Sequence, residues 1–202
     1  SLELPTLSSL GLGCIAPTGI EPVAVPVAAY GRCAPVHPGA DTYMGHQEIM
    51  GGRLSMVEFK LMDELAGPIT AALEAAGHRV EPMIAGRPML LVDGYALVAD
   101  NIEARARLNV NVTASLDDIS FEDLTSIGQI VREVIRVSRV IVVGSRGYTV
   151  DDIRAHIRTS DDGHSGVDTP ELGVYNEHYQ VRHLGLDFPI ERLLPTRVRE
   201  AG

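Results

Sequence analysis

Residues 121–147 read FEDLTSIGQIVREVIRVSRVIVVGSRG, and the two halves of this stretch carry different periods. In the first half Leu124, Ile127, Ile130, Val131, Val134 and Ile135 recur every three or four residues, which puts them on one face of an amphipathic helix. In the second half RVIVV is an unbroken apolar run that ends in a glycine turn, the pattern of a buried strand. A helix delivering its chain into a buried strand is the unit from which α/β folds are built.

The pattern continues on both sides. Upstream, HRVEPMI (78–84), PMLLVDGYALVAD (88–100) and RLNVNVTAS (107–115) read as strands. Before them, residues 57–76 form a helical pattern with Phe59, Leu61, Met62, Leu65, Ile69, Ala72 and Leu73 on one stripe, interrupted near Gly67-Pro68 and closed by Gly77. Downstream, VDDIRAHIR (150–158) reads as a helix, TSDDGHSGVDTPELG (159–173) as loop, YQVRHLGL (179–186) as a strand and PIERLLPTRV (189–198) as a last helical piece. The expected fold is α/β, a mixed sheet flanked by helices, with no internal repeat. Ahead of it lie a short helix within residues 1–13 and an extended, proline-broken stretch at 21–35. The best boundary falls near residue 52, dividing a lead segment, 1–52, from an α/β body, 53–202.

Composition narrows the function classes. The chain has 202 residues, 45% hydrophobic and 22% charged, ordinary for a folded globular protein. A net charge of -10 repels nucleic acid and anionic membranes, and an aromatic content of 4% offers no stacking platform for bases. An anionic substrate would need a local pocket of arginines. No apolar run reaches about 18 residues, and the first residues lack a signal-peptide pattern, so the expected compartment is the cytoplasm. Cys14 and Cys33 form no CxxC pair and read as structural thiols of a reduced chain. Oligomeric state is not encoded in any pattern here.

Other constellations are weaker. His164, His178 and His183 share a region with Asp161, Asp162 and Glu177, without the helical i, i+4 spacing or cysteine partners of a zinc site. They read as loop histidines on an acidic surface, and His37 is a minor candidate for facing a ligand. VVGSRG lacks the full glycine pattern of a dinucleotide turn, Asp151 and Asp152 fit the first turn of a helix, and there is no G-x-S-x-G.

Chemistry concentrates in PGADTYMGHQEIMGG, residues 38–52, where a hydroxyl follows a carboxylate in a loop that becomes a helix. Backbone N–H groups at a helix start suit a phosphate, and a hydroxyl there can act as a nucleophile when activated. From spacing alone, an ordinary threonine N-cap with His46 and Glu48 on a solvated helix is the favoured reading.

Residues 41–51, DTYMGHQEIMG, resemble the D-T-x-x-G-H-x-E-I-M-G segment of phosphopentomutases, members of the alkaline phosphatase superfamily, and LELPTLSSLGLGCI (2–15) is similar to that family's leucine-rich lead. The resemblance implies that residues 1–52 are a short piece of an alkaline-phosphatase-like core and 53–202 its cap domain. It implies Thr42 as the phosphorylated residue bridging two divalent metals, usually manganese, with Asp41, Gly45 and His46 as supporting motif positions. Within the cap it implies substrate contacts from Asp100 in LVADNIEARA, Arg146 in RVIVVGSRGY and Arg182 in YQVRHLG. The implied reaction interconverts ribose (or deoxyribose) 1-phosphate and 5-phosphate, the pentose phosphate being the partner. The family's other metal ligands lie in segments before and after the part matched here, so the expectation is a partial chain, inactive alone and binding no metal by itself. Tyr43, Met44 and Gln47 depart from the family pattern. A phosphoglycerate-mutase-like enzyme or a phosphohydrolase of the same superfamily stays open, as does a non-catalytic ligand-binding cap module.

Overall fold

A computed structural model describes residues 3–15, 19–32, 34–37, 41–52, 56–103, 107–161 and 163–186. The chain divides into two compact units, 1–36 and 37–202; the boundary expected after residue 52 falls inside the second. In the first unit, helix α1 (Pro5–Ser9) has proline in its first turn, where no N–H is needed. A 3₁₀ turn follows at Leu12–Cys14. Gly11, at φ 99°, sits against the Tyr30 ring with no room for a Cβ, and Cys14 Sγ donates to Val23 O at 3.6 Å. The expected helix over 1–13 is thus shorter and broken at this glycine. Cys33 and the expected last helix, 189–198, lie outside the described residues.

The second unit is the α/β body. Its elements are α2 (Thr42–Ile49), α3 (Met62–Ala75), β1 (Val80–Pro82), β2 (Leu90–Val92), β3 (Ala96–Asp100), β4 (Asn109–Ser115), α4 (Phe121–Val134), β5 (Arg139–Ser145), α5 (Val150–Ala155), β6 (Ile157–Thr159), β7 (Ser165–Val167), α6 (Thr169–Leu172) and β8 (Gln180–Gly185). Six strands form one mixed sheet in the order β1-β2-β3-β4-β5-β8, and β6 pairs with β7 separately. Within the large sheet β4 and β5 are parallel and every other neighbouring pair is antiparallel. Helix α4 makes the crossover that a parallel pair requires.

Side-chain alternation sorts the strands into two faces. Val92, Val98, Val110, Val112, Ala114, Val140 and Val142 point to α3 and α4, whose buried residues Met62, Leu65, Ile69, Leu73, Leu124, Ile127 and Val131 complete that core. Leu91, Leu97, Ala99 and Val143 point the other way, toward Ile153 of α5, Val167 of β7 and Leu172 of α6. On this second side β4 contributes Asn109, Asn111, Thr113 and Ser115, all buried.

Three expectations are corrected. The stretch 88–100 is two strands, because Asp93 and Gly94 take positive φ (52° and 85°) and close a tight hairpin. The Asp93 carboxylate holds the turn by accepting from Arg79 N–H at 2.8 Å and pairing with His78 Nδ1 at 2.7 Å. Helix α3 begins at Met62 and runs through Gly67-Pro68 without a break. Pro68, exposed in the middle of the helix, forfeits one backbone bond, while burial of four apolar side chains holds the helix. The segment 159–173 is more than loop: it contains β7 and α6, with Asp168 capping α6 through Glu171 N–H.

Candidate functional site

Helix α2 starts where the sequence places the Asp-Thr pair. Asp41, not Thr42, is its N-cap: the Asp41 Oδ1 accepts from the N–H groups of Tyr43 (2.7 Å) and Met44 (3.3 Å). Aspartate does this well because its short carboxylate satisfies N–H groups that have no partner inside the helix and complements the positive helix end. Thr42 is the first helical residue and is exposed, whereas Asp41 and Met44 are buried. The Tyr43 and Met44 N–H groups are therefore spent on Asp41.

Asp41 is anchored from the sheet. Arg139, the first residue of β5, directs Nη2 to Oδ1 at 3.3 Å and to Oδ2 at 3.4 Å. Its Nε donates to Asn109 Oδ1 at 3.2 Å, its Nη1 lies 3.1 Å from His183 Nδ1, and its guanidinium stands 5.4 Å from the centre of the Tyr43 ring. The Asp41 side chain has no exposure and that of Arg139 is 15% exposed. Arginine only donates, so the His183 nitrogen facing it accepts and carries no proton. Burial, then the neighbouring Arg139 charge, lower the His183 pKa, with Asp41 opposing. Beneath Tyr43, Met44 joins Val57 and Leu108 in a small apolar cluster.

The remaining motif positions are close by. Gly45 faces the His37 ring, whose Cε1 would stand 3.7 Å from a Cβ added at position 45, so a side chain fits there in ordinary contact. His37 is buried and pairs through Nδ1 with Glu48 Oε2 at 2.7 Å, which fastens the preceding loop to α2. His46 Nδ1 lies 2.6 Å from Thr42 O on the exposed side of the helix.

Asp100, Arg146 and Arg182 do not converge on Thr42 as one group. Asp100, at the end of β3, pairs in register with Val110 and so lies at the same end of the sheet as Arg139. It is 1% exposed, and its two oxygens accept from Met62 N–H (2.9 Å) and Ser165 N–H (3.2 Å), tying α3 and β7 to β3. Burial raises its pKa, with those two N–H bonds opposing. Arg146 follows the far end of β5, about 20 Å from Arg139 by strand rise. It is exposed and pairs with Asp117 Oδ1 at 3.5 Å. A cavity of about 700 Å³ opens there, but its walls carry Glu81, Asp117, Asp118, Asp151 and Asp152 against Arg154, a balance that disfavours phosphate. Arg182 stands opposite Val142 in mid-strand, 5.9 Å from the Phe121 ring.

The histidines are also dispersed. His164 is buried and accepts from Arg107 N–H, His178 pairs with Glu177 at 3.5 Å, and His183 faces Arg139. Asp162 lies outside the described residues. Among the described residues no three His, Cys, Asp or Glu side chains gather in a way that could hold a metal ion. Nor is any described helix long and apolar enough to cross a membrane. Sequence reasoning misses Arg139, Tyr43 and Asn109 as members of this site; the one local signal is a charged residue opening the apolar run at 139.

Fold and site together define an α/β body on whose sheet end an Asp-Thr helix start is anchored, with the threonine left open. No protein-family model matches the chain. It is similar to curated phosphopentomutases: 53% identical over 51 residues to that of Desulfitobacterium hafniense, covering 25% of this chain and 13% of the relative. It is 51% identical over 51 residues to that of Syntrophotalea carbinolica, again 25% and 13%. To the phosphopentomutase of Alkaliphilus oremlandii it is 29% identical over 174 residues, 72% of this chain and 41% of the relative. The matched stretches thus span 13% to 41% of the length of these relatives.

Proposed function

We propose that this chain belongs to a phosphopentomutase-type phosphoryl-transfer enzyme in which Thr42 carries the phosphoryl group. The supporting observation is the start of α2: Thr42 is exposed at the first helical position while Asp41 before it and Met44 two residues on are buried. Such a threonine has its backbone held and its hydroxyl available. Phosphorylated Thr42 passes its phosphoryl group to the free hydroxyl of a pentose phosphate. The Oγ–P bond breaks as the sugar oxygen–P bond forms, and the hydroxyl proton replaces phosphorus on Thr42. The group at the other sugar oxygen then returns to Thr42, so ribose 1-phosphate and ribose 5-phosphate interconvert with no net loss of phosphate. Residues 53–202 act as the cap that covers the sugar and excludes water, which favours transfer over hydrolysis.

The family resemblance implies two divalent metals beside the threonine. The described residues do not fit them: Asp41, the adjoining carboxylate, already holds Arg139 and two N–H groups. Ligands for such metals would come from elsewhere in an intact enzyme. Incubation of the intact enzyme with ribose 1-phosphate and manganese, followed by intact-mass and peptide analysis, tests the reading. A phosphate on Thr42 that appears and is consumed as ribose 5-phosphate forms supports it. Turnover that persists in Thr42→Val overturns it.

A further inference from the structure

The residue on each side of Thr42 is held to the sheet, and one arginine takes part in both contacts. Arg139 bonds the carboxylate of Asp41 and lies over the ring of Tyr43. It is itself fixed by Asn109 and His183, from the two strands that flank β5. Rotation of the first turn of α2 therefore breaks an ion pair, a cap and an aromatic contact together. Taking Thr42 as the phosphoryl carrier, we infer that Arg139 is a positioning residue for it: through Asp41 and Tyr43 it sets the direction in which the threonine hydroxyl leaves the helix. The forked guanidinium suits this task because it meets the carboxylate, the Asn109 amide and the imidazole with separate nitrogens. Lysine, with one nitrogen, keeps the charge and loses the fork.

Amide hydrogen exchange and steady-state kinetics on Arg139→Met, Arg139→Lys and Asp41→Asn test this. In Arg139→Met the Tyr43 and Met44 amides lose about tenfold in protection while those of Val110 and Val112 in β4 hold, and Arg139→Lys recovers part of the loss. Asp41→Asn, which can still cap, keeps the helix start but loosens it from the sheet. In the intact enzyme, turnover of pentose phosphate in Arg139→Met falls about 100-fold in kcat with KM little changed, as expected of a misdirected nucleophile. Unchanged protection at Tyr43 and Met44, or an equal loss at Val110 and Val112, overturns the inference, as does an unchanged kcat in Arg139→Met. If the intact enzyme, with its other metal ligands supplied, shows no turnover, the phosphoryl-carrier reading fails, and the exchange data alone decide whether Arg139 holds the helix start.

Discussion

Gly185 of β8 lies directly beneath the phenol of Tyr43, so close that a Cβ at position 185 would fall well inside van der Waals contact with the ring. The helix carrying Thr42 is thus seated on a notch that only glycine leaves open. Gly185→Ala should push Tyr43 off the sheet and destabilise the fold by about 1–3 kcal/mol. Adding Tyr43→Ala should restore part of that loss, because the two changes share one contact. Urea unfolding of the single and double variants measures the coupling; purely additive effects would mean the notch is not there.

Asp41 carries two duties that substitution separates. Asp41→Ala removes the cap, worth about 1 kcal/mol, and also leaves Arg139 without its carboxylate. Asp41→Asn keeps a capping oxygen and loses only the ionic partner. The alanine variant should be the less stable in urea, with the asparagine variant between it and the original.

Thr42→Val should leave the unfolding midpoint close to unchanged, within about 0.5 kcal/mol, since the residue is exposed. The same variant should lose all phosphate at position 42 by mass spectrometry. A large stability loss would assign the hydroxyl to the fold instead of to chemistry.

The depressed His183 pKa makes a signed contribution to stability. Below its ordinary value of about 6.5 the unfolded chain takes a proton that the folded one resists, so stability is lost as pH falls from there through the folded value. The urea midpoint should drop between pH 7.5 and 5.5, and His183→Gln should drop less. Equal slopes in the two proteins would contradict the placement of His183 against Arg139.

Gly128 sits in the middle of α4, where alanine would be the better helix former by about 1 kcal/mol. A Cβ there would nonetheless collide with Val142 of β5. Gly128→Ala should therefore cost stability, by about 1–2 kcal/mol after the propensity gain is counted. A stabilised variant would place α4 farther from the sheet than described.

How much of this is legible in the sequence depends on the range of the interaction. The α4–β5 unit is readable because each element announces its own period within a dozen residues. Asp93-Gly94 is a recognised turn pair, but the apolar residues on both sides read as one continuous strand. Strand β7 hides inside a run of Ser, Gly and Asp. Its Gly166 is there because the Asp100 carbonyl leaves no space for a Cβ, a constraint set 66 positions away. At the candidate site, Asp41 and Thr42 are visible as a motif, whereas Arg139 is not. Its partner lies 98 residues earlier, and nothing local marks such a pair. Asp100 reads as a substrate contact by resemblance, and the structure shows its oxygens taken by two backbone N–H groups.

Strand β4 turns Val110, Val112 and Ala114 to one side and Asn109, Asn111, Thr113 and Ser115 to the other, with both sets shut away from water. A slip of a single residue against its neighbours would drive amides and hydroxyls into hydrocarbon and strand the valines among polar atoms. Misaligned pairings are thereby penalised at every position at once. The central strand acts as a built-in check on the assembly of the whole sheet, including the end where the Thr42 helix is seated.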